Sequence, residues 1–420
     1  YLKLLEVIPS NTTAPEVVAF MQTFGEDVLG KGVVIAKDTP NFIANRIGTY
    51  GLIITMREMK GRGYSVGEVD SVTGPLIGRP SSATFRTLDV VGLDTFAHVA
   101  KNVYDHTTGD EQQVFAEDPT LKKMIENGWL GAKSGQGFFL KQGKEITELN
   151  LETFEYEPVK KLKTPSIEMA KQGRGLADRV KTLVYAKDRA GELLWNIFAP
   201  TLIYSAQLTG KIADDIIAID HAMKWGFGWT QGPFEMWDAI GVKQSVEKMT
   251  AEGREIPAFV QGLLDKGLDT FYSEIDGDLA YYNGTEYVKV PVNGKVIDLK
   301  RYKKKHGVIK SNAGASLIDL QDGVMLLEFH SQSNAIGLDL IQMLNAGIDE
   351  VENNAAYKGL VIGNQGKNFC VGANLGMILM EAQDDNIFEL DFVIGAFQKA
   401  MRRIKYAANP VVAAPFQMTL

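Results

Sequence analysis

The sequence predicts a multidomain protein that combines α/β parts with all-α parts, and three observations lead to this fold class. Strands alternate with a helix over residues 1–36, and they do so again over residues 315–420. Between these regions, two helical stretches about 150 residues apart are diverged copies of each other. A duplicated helical module with one diverged copy predicts one working site and one supporting copy, which is the organisation of an enzyme.

The two copies align through aspartates, glycines and a phenylalanine. The offset falls from 150 to 149 residues part of the way along, which marks one deletion. The matched pairs are Asp38 with Asp188, Asp70 with Asp220, Gly78 with Gly228, Phe85 with Phe234, Asp89 with Asp238, and Gly92 with Gly241.

Composition excludes several classes of protein. The 420 residues are 45% apolar and 23% charged, as in ordinary globular proteins, and their net charge of −8 offers no overall basic surface to nucleic acid. The single cysteine, Cys370, rules out an intramolecular disulfide framework and fits a reducing cytosol. No apolar run approaches the ~18 residues that a membrane-spanning helix needs. We therefore expect a cytoplasmic protein without a membrane span.

The first 36 residues are predicted to be the last part of an α/β sheet. Residues 2–8 read as a strand and residues 33–36 as a second strand. Between them, Thr13 and Glu16 match a T-x-x-E capping box, and Gly30 ends the predicted helix.

The first helical module is predicted over residues 37–145. It starts near Asp38, with Pro40 in the first turn of a helix, and Ser65 with Glu68 caps the next helix. Residues 146–175 are charged and lack periodicity, which predicts a linker. The second, degenerate module follows over residues 176–275.

The remaining chain is predicted to hold two further regions. Residues 276–314 contain two Asn-Gly turns, at 283–284 and 293–294, and a basic run at 300–306, which predict a β-meander and a basic linker. The basic run could also meet the phosphates of coenzyme A, although a solvated linker is favoured. Residues 315–420 then hold strands at 324–329, 360–362 and 411–414, with a helix at 338–351.

Four segments carry a resemblance to known families: YLKLLEVIP, DTPNFIANR, the paired GPFE-like turns, and KNFCVGANL. Residues 1 to about 275 resemble the 3-hydroxyacyl-CoA dehydrogenase family. Residues 315–420 resemble the N-terminal half of an enoyl-CoA hydratase (crotonase) ββα domain. The resemblance implies the C-terminal end of an NAD-binding Rossmann domain over residues 1–36, followed by two tandem helical modules.

The resemblance implies a bifunctional enzyme of fatty-acid β-oxidation. Its activities would be an NAD-dependent (3S)-3-hydroxyacyl-CoA dehydrogenase, an oxidoreductase, and an enoyl-CoA hydratase, a lyase. NAD is the implied cofactor and a coenzyme A thioester the implied substrate. The second helical module is expected to pack on the first as a pseudo-dimer, and homo-oligomers are compatible with this arrangement.

Three candidate site residues follow from the dehydrogenase resemblance. Glu6 matches a carboxylate that orients the catalytic histidine; without the motif, it is an ordinary strand-end residue paired with Lys3. Asn45 matches the amide that contacts the substrate, the alternative being a solvent-facing helix residue, and its counterpart in the second copy is Trp195. Lys133 matches a lysine that reaches the dinucleotide, the alternative being a solvated turn residue.

The crotonase resemblance adds one candidate. In that family two backbone N–H groups stabilise an enolate oxygen, and the first donor corresponds to Ala373 or its neighbour. Asn374 stands where the family often has Asp, which changes little because a backbone group does the work. Cys370 is expected to be a small buried hydrophobe rather than a nucleophile. No cluster of residues has the spacing of a metal site, and Asp214-Asp215 and Asp384-Asp385 are expected to be helix-start or loop charges.

Several family features do not occur in the sequence. It contains no G-x-G-x-x-G fingerprint, and none of its five histidines matches the catalytic position. The hydratase carboxylates also lack counterparts. We therefore expect that the chain is truncated at both ends and that the fragment alone is inactive in both reactions.

Two alternatives remain open at this stage. The chain could be a non-catalytic acyl-CoA-binding or scaffold protein that has lost both active sites. It could also be a dehydrogenase of small hydroxy acids, although the hydratase-like region argues against this because both halves would then share one CoA ester.

Overall fold

The protein is described by a computed structural model that covers residues 2–420, apart from the side chain of Met377. The chain divides into two structural units. The first runs to Ile275 and includes Leu279–Val290, and the second consists of Asp276–Asp278 and Pro291–Leu420. Among the described residues, no helix combines the length and the apolar character needed to cross a bilayer.

The first unit begins with a parallel pair of strands, β1 (Leu4–Val7) and β2 (Gly32–Ile35). Helix α1 (Pro15–Thr23) connects them and continues into a π-helical turn. The predicted order of strand, helix and strand is therefore confirmed, but the capping box is wrong. Ala14 precedes the helix, and the Thr13 hydroxyl instead accepts a hydrogen bond from the Ser10 N–H at 3.0 Å.

Each helical module consists of a set of helices followed by a three-stranded antiparallel sheet. The first module contains α2 (Ala44–Arg62), α3 (Val66–Val72), α4 (Phe85–Val91), α5 (Leu93–His106), α6 (Gly109–Val114), α7 (Pro119–Glu126), β3 (Phe139–Gln142), β4 (Glu145–Leu149) and β5 (Tyr156–Pro158). The second contains α8 (Pro165–Lys171), α9 (Leu176–Val184), α10 (Arg189–Leu208), α11 (Ile216–Gly226), α12 (Pro233–Ile240), α13 (Val242–Ala251), α14 (Ala258–Asp265), β6 (Tyr272–Ile275), β7 (Asp278–Tyr282) and β8 (Tyr287–Lys289).

Two of the three matched aspartate pairs make the same contacts in both copies. Asp70 accepts backbone hydrogen bonds at the start of α4, and Asp220 does so at the start of α12. Asp89 accepts from the two N–H groups that lead into β3, and Asp238 accepts from the two that lead into β6. A carboxylate is favoured at a helix N-terminus, where four N–H groups lack intrahelical partners. The duplication predicted from the sequence therefore extends to individual hydrogen bonds.

The two modules share one hydrophobic core, which is centred on α2 and α10. The rings of Tyr50 and Tyr204 stack with centroids 4.0 Å apart. The Arg46 guanidinium donates to the Tyr204 hydroxyl at 2.8 Å and pairs with Glu111 at 2.6 Å. These contacts fix the two long helices against each other.

The second unit is a five-stranded sheet with helices packed on it. Its elements are α15 (Leu299–His306), β9 (Lys310–Ser311), β10 (Ala315–Asp319), β11 (Val324–Phe329), α16 (Leu338–Asn353), β12 (Gly359–Gly363), α17 (Leu375–Gln383), α18 (Ile387–Lys405) and β13 (Val411–Ala413). The strand order is β13-β12-β11-β10-β9, and α16 buries an apolar face against the sheet. The predicted strands and the helix near residue 338 are confirmed.

The structure differs from the sequence-based expectation at four places. Helix α2 begins at Ala44 rather than near Asp38, because Asn41 and Phe42 adopt positive φ values of 60° and 53°. The expected linker at 146–175 contains part of β4, all of β5 and helix α8, because strand pairing supplies order that periodicity does not reveal. The turn at 293–294 joins no strands, and the basic run forms most of helix α15.

We expect the Asp70→Ala substitution to lower the free energy of unfolding by about 2–4 kcal/mol, because three backbone N–H groups lose a charged acceptor. Urea denaturation measures this change. Asp105→Ala is the matched control, since Asp105 makes an exposed ion pair with Lys101 one turn away and should change stability by less than about 0.5 kcal/mol. Equal effects of the two substitutions would contradict the capping role.

Candidate functional site

Glu6 joins the end of β1 to the start of α2. Its Oε1 atom accepts hydrogen bonds from the N–H groups of Ile43 at 2.9 Å and Ala44 at 3.1 Å. Burial raises the pKa of Glu6, and the two backbone hydrogen bonds oppose this change. Lys3 donates to the Gly30 carbonyl instead of pairing with Glu6. No described residue donates to Oε2, so this atom can accept a further hydrogen bond.

Asn45 lies one residue beyond this cap, in the first turn of α2. Its side chain is exposed and makes no hydrogen bond with any described residue. Because Glu6 binds the N–H of Ala44, the Asn45 backbone is fixed relative to the Glu6 carboxylate. The arrangement holds a carboxylate oxygen and an amide, both able to bind a ligand, at the same helix terminus.

A cavity of about 300 Å³ opens beside Asn45, between the two helical modules. The first module contributes α2 and the segment that leads into α4, and the second contributes the segment after α11. The lining residues are Asn45, Gly48, Gly51, Leu52, Arg79, Pro80, Ser82, Ala83, Thr84, Thr87, Val91, Gly226, Phe227 and Trp229.

The corresponding space of the second copy is filled. At an offset of 150 residues, Gly48 corresponds to Phe198 and Gly51 to Thr201, and the cavity that these two larger residues line measures only about 10 Å³. Trp195, the counterpart of Asn45, is buried, and its indole N–H donates to Glu252. The two copies therefore share the same arrangement of helices, but of these two equivalent cavities only the one in the first copy is large enough for a ligand.

Lys133 stands apart from Glu6 and Asn45. Its ammonium group pairs with Asp94, and both side chains are nearly half exposed. No hydrogen bond joins Lys133 to Glu6 or to Asn45. Asp94 also lines a second cavity of about 690 Å³ in the first module, which includes Lys101 but none of the predicted site residues.

Ala373 belongs to the second unit. Its segment pairs with Ile336 through backbone hydrogen bonds of Gly372 and Asn374. Ala373 is exposed, and within the described chain its own N–H donates to no other residue. Cys370 is buried in the core of this unit and makes no hydrogen bond to a histidine, in agreement with a packing role.

The sequence interpretation missed two features of the site. Gly48 and Gly51 open the cavity, and Arg79 contributes a cation to its wall. The repeat alignment contained the signal, because it places Gly48 opposite Phe198 and Arg79 opposite Trp229. Among the described residues, no cluster of His, Cys, Asp or Glu could hold a metal ion.

We expect Gly48→Ala and Gly51→Ala to change the free energy of unfolding in different ways, although both residues lie in α2. A Cβ at Gly48 would approach the Phe227 ring to 2.0 Å, whereas one at Gly51 would meet nothing nearer than 3.8 Å. Gly48→Ala should lower the free energy of unfolding by about 1–3 kcal/mol through overpacking. Gly51→Ala should leave it unchanged or raise it by up to about 1 kcal/mol through helix propensity. Thermal unfolding of both variants is the measurement, and a loss of the same size in each would contradict the described packing.

Comparison with known proteins gives the family of the first module. Residues 42–141 match the family described as 3-hydroxyacyl-CoA dehydrogenase, C-terminal domain. A protein of Bacillus subtilis named a probable 3-hydroxyacyl-CoA dehydrogenase is 63% identical over 420 residues, which is all of this chain and 53% of that protein. A Rickettsia prowazekii protein, named as a trifunctional enzyme of the fatty acid oxidation complex, is 25% identical over 98% of this chain and 54% of its own length.

A solved structure is similar at a lower level. The 3-hydroxybutyryl-CoA dehydrogenase of Escherichia coli is 19% identical, with a TM-score of 0.47 over 63% of this chain and 68% of that chain. The chain spans about half the length of the two curated relatives described above. Residues 42–141 are similar to the C-terminal domain of the 3-hydroxyacyl-CoA dehydrogenase family.

Proposed function

We propose that this chain is part of an NAD-dependent (3S)-3-hydroxyacyl-CoA dehydrogenase of fatty-acid β-oxidation. The observation that carries the proposal is the arrangement at the start of α2, where Glu6 caps the helix and Asn45 faces a cavity. The Bacillus subtilis relative, which matches the whole chain, supports the same activity through its name.

The proposed reaction removes a proton from the 3-hydroxyl oxygen and a hydride from C3, the carbon that bears this oxygen. The product is a 3-keto thioester. NAD, when bound, accepts the hydride. Asn45 donates its amide N–H to an oxygen of the thioester and fixes the acyl group without titrating. Lys133 is the residue proposed to reach the dinucleotide, because its exposed cation could exchange Asp94 for a phosphate.

Glu6 acts in this proposal as a positioning residue. Its Oε1 is used by α2, so Oε2 is the atom that would accept the ring N–H of a histidine base and stabilise the imidazolium. No described histidine hydrogen-bonds to Glu6. We therefore propose that the base is supplied from outside these 420 residues, which cover 53% of the Bacillus subtilis relative, and that this chain alone does not oxidise substrate.

The second helical module is proposed to support the first as a pseudo-dimer partner. The stacking of Tyr50 on Tyr204 and the contact of Gly48 with Phe227 favour this role, since both join elements of different modules. Phe227 and Trp229 also complete the wall of the cavity. Association of the protein into homo-oligomers remains a prediction.

Enoyl-CoA hydratase activity is proposed only for a longer protein that contains residues 315–420 as the first half of a crotonase domain. Ala373 favours this assignment, because the residue is exposed, its N–H has no acceptor within the described chain, and an oxyanion hole requires a backbone donor without another partner. The carboxylates that perform hydration have no proposed counterparts in this chain.

A non-catalytic acyl-CoA-binding role is the second candidate. The observation that favours it is that no histidine of the described residues hydrogen-bonds to Glu6. The two candidates share substrate binding at Asn45 and differ in whether the natural protein oxidises a 3-hydroxyacyl-CoA.

We expect Asn45→Ala to lower kcat/KM for a (3S)-3-hydroxyacyl-CoA by about 10², because the donor that positions the thioester is lost. Glu6→Gln should lower kcat by about 10²–10⁴ and alter the pH profile of kcat, since the imidazolium loses its partner. The measurement is NADH formation by the full-length natural protein. Lys3→Gln is the control, because Lys3 binds the Gly30 carbonyl and not Glu6.

The outcomes separate the candidates. Oxidation that depends on Asn45 and Glu6 but not on Lys3 supports the dehydrogenase. Binding of acyl-CoA without any oxidation by the natural protein would establish the non-catalytic role instead.

A further inference from the structure

Arg79 is a largely buried cation without an ionic partner. Its guanidinium carbon lies 4.4 Å from the centroid of the Trp229 ring and 5.6 Å from that of Phe198. Among the described residues, no carboxylate, carbonyl or hydroxyl group accepts a hydrogen bond from its side chain. Burial lowers the pKa of Arg79 to about 10, so the group stays protonated at neutral pH. Five N–H donors are thus held between two aromatic rings with their hydrogen-bonding capacity unused.

Arg79 lines the cavity beside Asn45, and it also lines the small cavity of the second copy. Within the described part of the chain, no Asp or Glu lines the cavity beside Asn45, so no carboxylate there compensates the charge. The Thr84 and Thr87 hydroxyls donate within the fold, to Thr73 and to the segment at Ser82. The cavity therefore offers a ligand one cation and the amide of Asn45, in surroundings that are otherwise largely apolar.

A buried cation without a partner is costly, and an anion placed against it recovers much of that cost. A carboxylate is well matched, because the planar guanidinium binds it through two parallel N–H···O bonds. The trapped orientation of Arg79 between Trp229 and Phe198 favours such binding, since little side-chain freedom remains to be lost.

The size of the cavity limits where on the ligand this anion can be. A volume of about 300 Å³ lies at the lower end of the range of small-molecule sites. A short acyl chain with a terminal carboxylate fits this volume, whereas a complete coenzyme A thioester does not. The inference rests on the proposed function, in which Asn45 contacts the thioester end of the acyl group.

We propose that the substrates of this site include 3-hydroxyacyl-CoA thioesters whose distal carbon is a carboxylate, that is, monothioesters of short dicarboxylic acids. Asn45 binds the thioester end and Arg79 binds the terminal carboxylate. The second copy lacks both the cation and the open cavity, because its counterpart of Arg79 is Trp229 and its counterpart of Gly48 is Phe198.

The test compares two ligands of equal length, adipyl-CoA and hexanoyl-CoA, which differ only in a terminal carboxylate or methyl group. Isothermal titration calorimetry gives both dissociation constants for the unmodified chain, Arg79→Met and Arg86→Met. Arg86 is the matched control, because it also stands over an aromatic ring, that of Phe139 at 4.9 Å, but does not line the cavity.

The expected result is that adipyl-CoA binds the unmodified chain at least about tenfold more tightly than hexanoyl-CoA, as a charge-assisted pair predicts. Arg79→Met should abolish this preference and Arg86→Met should keep it. Equal affinities for the two ligands in the unmodified chain would overturn the inference, and this comparison does not depend on whether any variant folds.

Two further outcomes distinguish the inference from the proposed function. Equal weakening of both ligands by Arg79→Met would mean that the cation binds the coenzyme A moiety, which overturns the inference but not the dehydrogenase proposal. Failure of both ligands to bind, or binding that is unaffected by Asn45→Ala, would overturn the proposed function together with the inference.

Discussion

The packing of α2 against α10 is the constraint on which the first unit depends. Each helix belongs to a different copy of the duplicated module, and both contribute buried side chains to one shared core. Desolvation at this contact raises the pKa of Tyr50 to about 12 and also raises that of Tyr204, so both phenols stay neutral. At the start of α2, Asn45 lines a cavity together with residues of the second copy.

Asymmetry between the copies follows from a few substitutions within this shared frame. The aspartates that hold the helices and sheets are the same in both copies, because they maintain the fold. The residues around the cavity differ, and several are larger in the second copy, as with Phe198 opposite Gly48 and Trp195 opposite Asn45. One copy therefore keeps an open cavity, while the other contributes part of the cavity wall and of the core.

The sequence predicted the features that depend on local patterns. The duplication, the capping box at Ser65 and Glu68, and the strands β1, β2, β11, β12 and β13 are present as expected. It did not predict the start of α2, because the positive φ of Asn41 and Phe42 is imposed by the surrounding structure, including the cap from Glu6, which is distant in sequence. Nor did the sequence single out Arg79. Its lack of an ionic partner depends on how residues of both copies pack around it.

The central claim is that the acyl group of a CoA thioester occupies the cavity beside Asn45. A crystal structure of the chain with a bound short-chain acyl-CoA tests this claim most directly. The account predicts acyl density between Asn45 and Arg79, with Trp195 and Phe198 still packed in the second copy. Acyl density in the separate cavity of about 690 Å³ near Asp94 and Lys101, with the space beside Asn45 unchanged, would contradict it.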